Sequence, residues 1–247
     1  MEGNQLTIKI ADINIGIKPI HKGFEEFCKD YLTDEDADFV LSATESDLEE
    51  EAVRVAQYEN LTAEIDYSGF ELEKIWVYRQ IAETIPKYDA FLIHAASVCV
   101  DGEAYLFLGP SGAGKTTHAK MWKQYFGDRM KIINDDKPLI RVTDDDILVC
   151  GSPWSGKENW KNNIDASLKG IACLNQSNEN HIERLTVSDS WNAMMNQVYR
   201  SGVAETMQKI FGLTDKVIKR IPLYSVDCTK GEESVVVAYR TLSGTGI

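Results

Sequence analysis

Apolar and polar residues alternate through Leu6, Ile8, Ile10, Ile13, Ile15 and Ile17, a two-residue period that predicts extended strand. Phe24, Phe27 and Tyr31 then follow helical spacing, and 39–41 is a short strand candidate. An acidic helix is expected over 46–55, with Ser46 as its cap and Glu49 at the third helical position. The next helix, 71–85, sets Ile75, Tyr78, Ile81 and Ala82 on one face and stops at Pro86. Residues 91–100 are rich in β-formers, Asp101-Gly102 supplies a two-residue turn, and 104–108 resumes as a second strand. A glycine-rich segment opens a helix over 116–126, which Gly127 and Asp128 break. Strand 130–133 follows, ending at Asn134, Asp135 and Asp136. Strands at 139–142 and 147–150 are joined by a turn at 143–146, and a polar, tryptophan-bearing loop spans 151–163. The last third predicts a strand at 170–174, a polar loop at 175–180, helices at 190–199 and 203–211, and a strand at 223–226. Thr229 and Glu232 form a capping box for a final helix, although Val235, Val236 and Val237 equally suit a strand. Strands and helices interleave throughout, without an internal repeat or a Pro/Gly/Ser-rich linker.

Composition narrows the classes. The chain has 247 residues, 43% hydrophobic and 26% charged, an ordinary globular balance. Its net charge is −13, and residues 1–93 carry 21 acidic and 8 basic side chains, while 94–247 carry 18 of each. The excess negative charge therefore marks an acidic N-terminal α/β annex, 1–72, ahead of a core at 73–247. An acidic chain with no basic run has no footprint for a nucleic acid or an anionic membrane. The clusters at 34–38 and 49–51 read as a solvated face, or as a surface for a basic partner. Residues 90–100 lack Asp, Glu, Lys and Arg, but that is about half of the roughly 20 residues a membrane span needs. Met1 is followed by Glu2, Gly3, Asn4 and Gln5, with no basic or apolar leader, so no secretory signal is expected. Cys28, Cys99, Cys150, Cys173 and Cys228 make no CxxC pair and read as small core residues in a reducing, cytoplasmic compartment.

Gly109-Pro110-Ser111-Gly112-Ala113-Gly114-Lys115-Thr116 matches GxxxxGK[ST] at every fixed position, between an apolar strand and a helix. Glycines 109, 112 and 114 let the backbone curl and aim N–H groups at phosphate oxygens, and the helix adds its positive dipole end. Lys115 reaches the β- and γ-phosphates, and the Thr116 hydroxyl is placed to ligate Mg²⁺. The nucleotide-binding set is thus Gly109, Ser111, Gly112, Ala113, Gly114, Lys115, Thr116 and Thr117, with ATP and Mg²⁺ as expected cofactors.

Asp135 and Asp136 come twenty residues after Lys115, at a strand end where a carboxylate can face the nucleotide's metal. One carboxylate holds Mg²⁺, and a second beside it can accept the proton of an attacking hydroxyl, which separates a kinase from a simple ATPase. The bland alternative is a surface turn, since Lys137 and Pro138 follow. His94, between Ile93 and Ala95, is either a satisfied core histidine or a neighbour of the transferred phosphate, because its partner strand leads into the glycine loop. His21, His118 and His181 have no such context. In the loop, Lys157 could neutralise a phosphate or carboxylate and Trp154 or Trp160 could wall an acceptor pocket; the alternative is an ordered surface loop.

The run Leu92-Ile93-His94-Ala95-Ala96-Ser97, the hairpin, Phe107 through Thr117 and then Ile133-Asn134-Asp135-Asp136 together resemble the catalytic core of HPr kinase/phosphorylase and the ATP-type phosphoenolpyruvate carboxykinases. The resemblance is specific over 90–155, loose to the C-terminus and absent from the first seventy residues. It implies a mixed sheet around a P-loop helix, with Asp135 as base, Asp136 and Thr116 at the metal, Lys115 on the phosphates and His94 orienting the Asp. The catalytic set is then Asp135, His94 and Lys115. HPr kinases usually carry Glu where this chain has Thr117, and neither their phosphorylase signature nor the carboxykinase's oxaloacetate-binding arginines are found. The short spacing between loop and carboxylates favours the mixed sheet over an all-parallel doubly wound one. The expected activity is transfer of the ATP γ-phosphate to a hydroxyl of a serine-bearing peptide, a protein or a small metabolite. The alternative is a nucleotide-gated recognition module with little turnover. Assembly into a homo-oligomer is left open.

Overall fold

Ala11 and Asp12, both left-handed (φ 51° and 55°), turn the alternating N-terminal run back on itself. It therefore forms a hairpin, β1 (Leu6–Ile10) and β2 (Ile13–Lys18), and not one strand. The computed structural model describes residues 5–58 and 68–245; Met1, Glu2, Gly3 and Asn4, on which the expectation about a secretory signal rests, lie outside them. The chain divides into two units, Met1–Thr84 and Ile85–Ile247.

In the first unit β3 (Phe39–Ser42) lies parallel to β2, and a short helix, α1 (Phe24–Phe27), precedes it. Two longer helices follow, α2 (Glu45–Tyr58) and α3 (Gly69–Thr84). The cap of α2 is not Ser46. Thr44 and Asp47 form the reciprocal pair: the Thr44 amide donates to Asp47 Oδ2 (2.8 Å) and the Asp47 amide to Thr44 Oγ1 (3.3 Å). Glu49 and Glu50 are exposed as expected, whereas Glu51 is buried and takes both Nε and Nη2 of Arg79 on α3. Glu73, also on α3, accepts from the Ile20 and His21 amides (2.7 and 2.9 Å). These bonds tie residues 73–84 to the N-terminal elements, so the division falls after Thr84 and not between 72 and 73.

The second unit holds one nine-stranded sheet. Its strands are β4 (Ala90–Leu92), β5 (Ala96–Val100), β6 (Glu103–Leu108), β7 (Met130–Asn134), β8 (Leu139–Val142), β9 (Ile147–Cys150), β10 (Asp165–Gln176), β11 (His181–Arg184) and β12 (Leu223–Cys228). Along the sheet the order is β4-β8-β9-β10-β6-β5-β7, with β12 also on β10 and β11 on β12. β10 is the hub, pairing β6 along one edge and β9 then β12 along the other. Within this sheet only β10–β6 and β10–β12 are parallel, so the fold is α/β with a mixed sheet. β7 pairs antiparallel with β5, away from β6, which excludes the all-parallel alternative.

Helices cover both faces. α4 (Lys115–Phe126) and α7 (Glu232–Ser243) pack on one face through Trp122, Phe126, Val235 and Leu242, against Tyr105 and Phe107 of β6. α5 (Val187–Met195) and α6 (Ala204–Arg220) pack on the other through Met194, Ile210, Leu213 and Val217, against Leu106 and Leu108. β6 is thus apolar on both sides, as a central strand between helix layers must be. Residues 235–237 are helical because Val235 and Ala238 face the sheet at helical spacing. β10 and α6 run well past the expected 170–174 and 203–211, and β11 occupies part of the region after the expected polar loop.

The expected strand over 91–100 is broken at 93–95. There the Ile93, His94 and Ala95 amides donate to Pro138 O (3.3 Å), Gln197 O (2.8 Å) and Asp136 O (3.1 Å), all distant in sequence from 93–95. Among the described residues no helix is long and apolar enough to cross a membrane. All five cysteines are free thiols.

Candidate functional site

The glycine loop leaves β6 at Leu108 and enters α4 at Lys115. Gly109, Gly112 and Gly114 have φ of 147°, 83° and 98°, which side chains rarely tolerate, so the loop's curl depends on them. No side chain caps α4, whose N-cap is Gly114, and its first turn carries no acidic residue. The N–H groups at its start therefore lack a side-chain acceptor and suit an anion. Lys115, 8% exposed, folds its ammonium over the loop and donates to Gly109 O (2.8 Å) and Pro110 O (3.2 Å). Burial pulls its pKa down, and the charge of Asp136 opposes that shift.

Across the cleft, Asn134 at the end of β7 organises the carboxylates. Its Oδ1 accepts from the Asp136 and Lys137 amides (3.0 and 2.6 Å), closing a tight turn, while its Nδ2 donates to Trp154 O (2.8 Å). Ser97 locks the same residue into the sheet: its Oγ accepts from the Asn134 amide (3.0 Å) and donates to Asn134 O (2.9 Å). Asn134 is wholly buried, so these bonds satisfy polar groups that water cannot reach.

The two aspartates face different surroundings. Asp135 is 5% exposed, its Oδ1 accepts from the Gly156 amide (2.6 Å), and its own amide donates to Trp160 O (3.1 Å). Burial raises its pKa despite those bonds. Burial also pushes Asp136 upward, but a contact from His94 Nε2 (3.1 Å), Lys137 and Lys115 outweigh it, so its carboxyl sits below the ordinary value. His94 is not a core histidine; its imidazole is 43% exposed and sits at the strand break.

Gly156 makes its bond to Asp135 at very close range. A Cβ there would lie 3.2 Å from Asp136 Cβ and 3.3 Å from Asp135 Cγ. Its carbonyl accepts from the Asn159 amide (3.0 Å), so Lys157 and Glu158 form the corner of a turn. Glu158 pairs with Lys120 of α4 (3.3 Å), and Lys120 lies 5.0 Å from the centre of the Trp160 ring.

These elements enclose a cleft of about 580 Å³. Of the residues expected from sequence, Ser111 through Thr117, His94, Asp135, Asp136 and Lys157 all line it. Gly109 lies beneath, as the carbonyl partner of Lys115. Trp154 and Trp160 are the exceptions, both outside the lining. Trp154 is 7% exposed and turned inward with its carbonyl held by Asn134, so it does not wall the cleft.

Sequence reasoning missed Asn134 as an organiser, and also the wall formed by Gln176, Cys228, Thr229 and Lys230. The usable signal for that wall was topological: strands parallel to the one feeding the glycine loop end at the same edge. His118 lines the cleft as well, but it is buried, accepts from Trp122 Nε1 at Nε2 (2.9 Å), and burial lowers its pKa to about 4. It is therefore neutral near pH 7.

No family model and no curated protein matches the chain. Among solved structures it is similar to the Hpr(Ser) kinase/phosphatase from Coxiella burnetii, at 9% identity and a TM-score of 0.35, over 63% of this chain and 99% of that one. A superposition this loose carries no argument about activity.

Proposed function

We propose that the chain transfers the γ-phosphate of ATP to a hydroxyl of a serine-bearing peptide, a protein or a small metabolite. One observation carries the reading: the loop 109–116 and the carboxylates of Asp135 and Asp136 open onto a single cleft of about 580 Å³, within the range of small-molecule sites. In this reading the triphosphate lies along the glycine loop and the start of α4, and Lys115 exchanges the Gly109 and Pro110 carbonyls for phosphate oxygens.

The donor set fits Mg²⁺ carried in with the nucleotide. Thr116 and Asp136 offer oxygen ligands, and the described residues contain no cluster of three His, Cys, Asp or Glu that would form an all-protein metal cage. When bound there, the ion would neutralise charge on the β- and γ-phosphates. Asp136 is the carboxylate coupled to Lys115, so it belongs to the phosphate side. Asp135 lies on the side of the 151–163 loop, where the Gly156 amide fixes its Oδ1. The acceptor oxygen attacks the γ-phosphorus as the bond to the β-bridging oxygen breaks; its proton passes to Asp135, and ADP leaves. His94 orients Asp136. The free thiols are consistent with a reducing, cytoplasmic setting, which belongs to the same proposal.

Titration calorimetry with product analysis tests this. Wild-type protein should bind MgATP, and Lys115→Ala should weaken binding by at least about tenfold and abolish turnover, because the loop loses its cation. Full activity in Lys115→Ala would refute the site. Tight ATP binding with no phosphorylated product would favour a nucleotide-gated recognition module.

A further inference from the structure

Three adjacent strands, β6, β10 and β12, run parallel, so their C-terminal ends share one edge of the sheet. β6 delivers the glycine loop. β10 ends at Gln176, whose Nε2 donates to Gly112 O (2.7 Å). β12 ends at Cys228 and delivers Thr229 and Lys230 to the same cleft. That backbone is pinned: the Thr229 amide donates to Asn180 Oδ1 (2.9 Å), and α7 starts immediately after Gly231.

The cleft's lysines differ in what holds them. Lys115 is bound to loop carbonyls and Lys120 to Glu158. Lys157 and Lys230 have no ion-pair or hydrogen-bond partner among the described residues. Lys157 adjoins Gly156, and hence Asp135, at the end where the phosphoryl group would move. Lys230 belongs to the other wall, with Gln176, on the Gly112 side of the loop. Lys230 is exposed and lines the cleft, so its ammonium is available to an anion bound along the glycine loop. At the same end, Met121 of α4 and Cys228 lie against one apolar cluster, a surface that a planar base can cover.

We propose that Lys230 is a second phosphate-binding cation, holding the α-phosphate of the nucleotide, with the nucleoside seated at the Met121–Cys228 end of the cleft. The inference rests on the nucleotide reading above. It makes Lys230 a positioning residue that favours triphosphates over shorter phosphates, and gives it no part in the transfer step.

The test is the affinity of the full chain for MgATP, magnesium tripolyphosphate and magnesium pyrophosphate, in wild type, Lys230→Gln and Lys230→Arg. Lys230→Gln should weaken ATP and tripolyphosphate by about tenfold, leave pyrophosphate unchanged, and be largely rescued by Lys230→Arg. Unchanged ATP affinity in Lys230→Gln, with wild type binding normally, would overturn the assignment alone. An equal loss for pyrophosphate would also overturn it, since the lysine would then act through its general field. Wild type that binds none of the three would remove the nucleotide reading, and this inference with it.

Discussion

Asp135 and Asp136 are neighbours in sequence, yet one is buried against the Gly156 amide and the other faces His94, Lys137 and Lys115. Two kinetic outcomes follow from that difference. Asp135→Asn keeps shape and polarity without basicity, so ATP should still bind while the transfer rate falls by roughly 10² to 10⁴. Asp136→Asn should instead raise the Mg²⁺ concentration needed for half-maximal rate; rescue of Asp135→Asn, but not Asp136→Asn, by excess Mg²⁺ would mean that the roles are exchanged. Stability gives an independent check. Burial raises the Asp135 pKa in the folded state above its unfolded value, so the stability linked to its proton is present at low pH and lost as pH rises through the folded pKa. At pH 7 the carboxylate is therefore a cost, and Asp135→Asn should melt higher than wild type there, with the difference closing as pH falls towards the acid range. A lower melting point for the variant at pH 7 would contradict the burial argument. Both aspartates were legible in the sequence because they follow a recognisable loop at short spacing. Their unequal surroundings were not, since Gly156 and His94 reach them from other parts of the chain.

At the scale of elements, the glycine loop and the Asp101-Gly102 hairpin were readable because each is local: a few residues whose conformational needs are met by their own side chains. Asp101 and Gly102 take φ of 51° and 90°, the left-handed pair that a two-residue hairpin needs. Elements shaped by distant partners were misread. The run 91–100 is β-forming throughout but breaks at His94, because Pro138, Gln197 and Asp136 supply the carbonyls for its amides. The 151–163 loop was recognised as polar and chemically loaded. Which of its residues turn inward depends on Asn134, so Trp154 lies outside the cleft lining while Lys157 lies within it. This loop can be tested at one atom. In Gly156→Ala the added methyl would press on Asp135 and Asp136 at 3.2–3.3 Å, displacing the turn from the carboxylates. Turnover should fall at least about tenfold while MgATP affinity, set by the glycine loop, stays within about threefold of wild type. Unaltered turnover would mean that the loop does not position Asp135.

Across the whole molecule, every residue of the candidate site lies in the unit Ile85–Ile247, while the acidic excess lies entirely before it. The α/β class and the mixed sheet could be anticipated from the interleaved pattern and the short loop-to-carboxylate spacing. The branching of β9 and β12 along one edge of β10 could not, because it depends on long-range pairing of a strand whose polar ends hid its length. That pairing brings three parallel strand ends to the glycine loop and the β7 end to the opposite wall, which makes phosphoryl transfer to a hydroxyl the central claim. The most direct measurement incubates the full chain with ATP labelled in its γ-phosphate and a cell extract, then locates the label by mass spectrometry. The account predicts label on an alcohol oxygen of a peptide, protein or small molecule with wild type, and its loss with Asp135→Asn. Label that stays in ATP, or passes only to inorganic phosphate, while wild type binds ATP would contradict it.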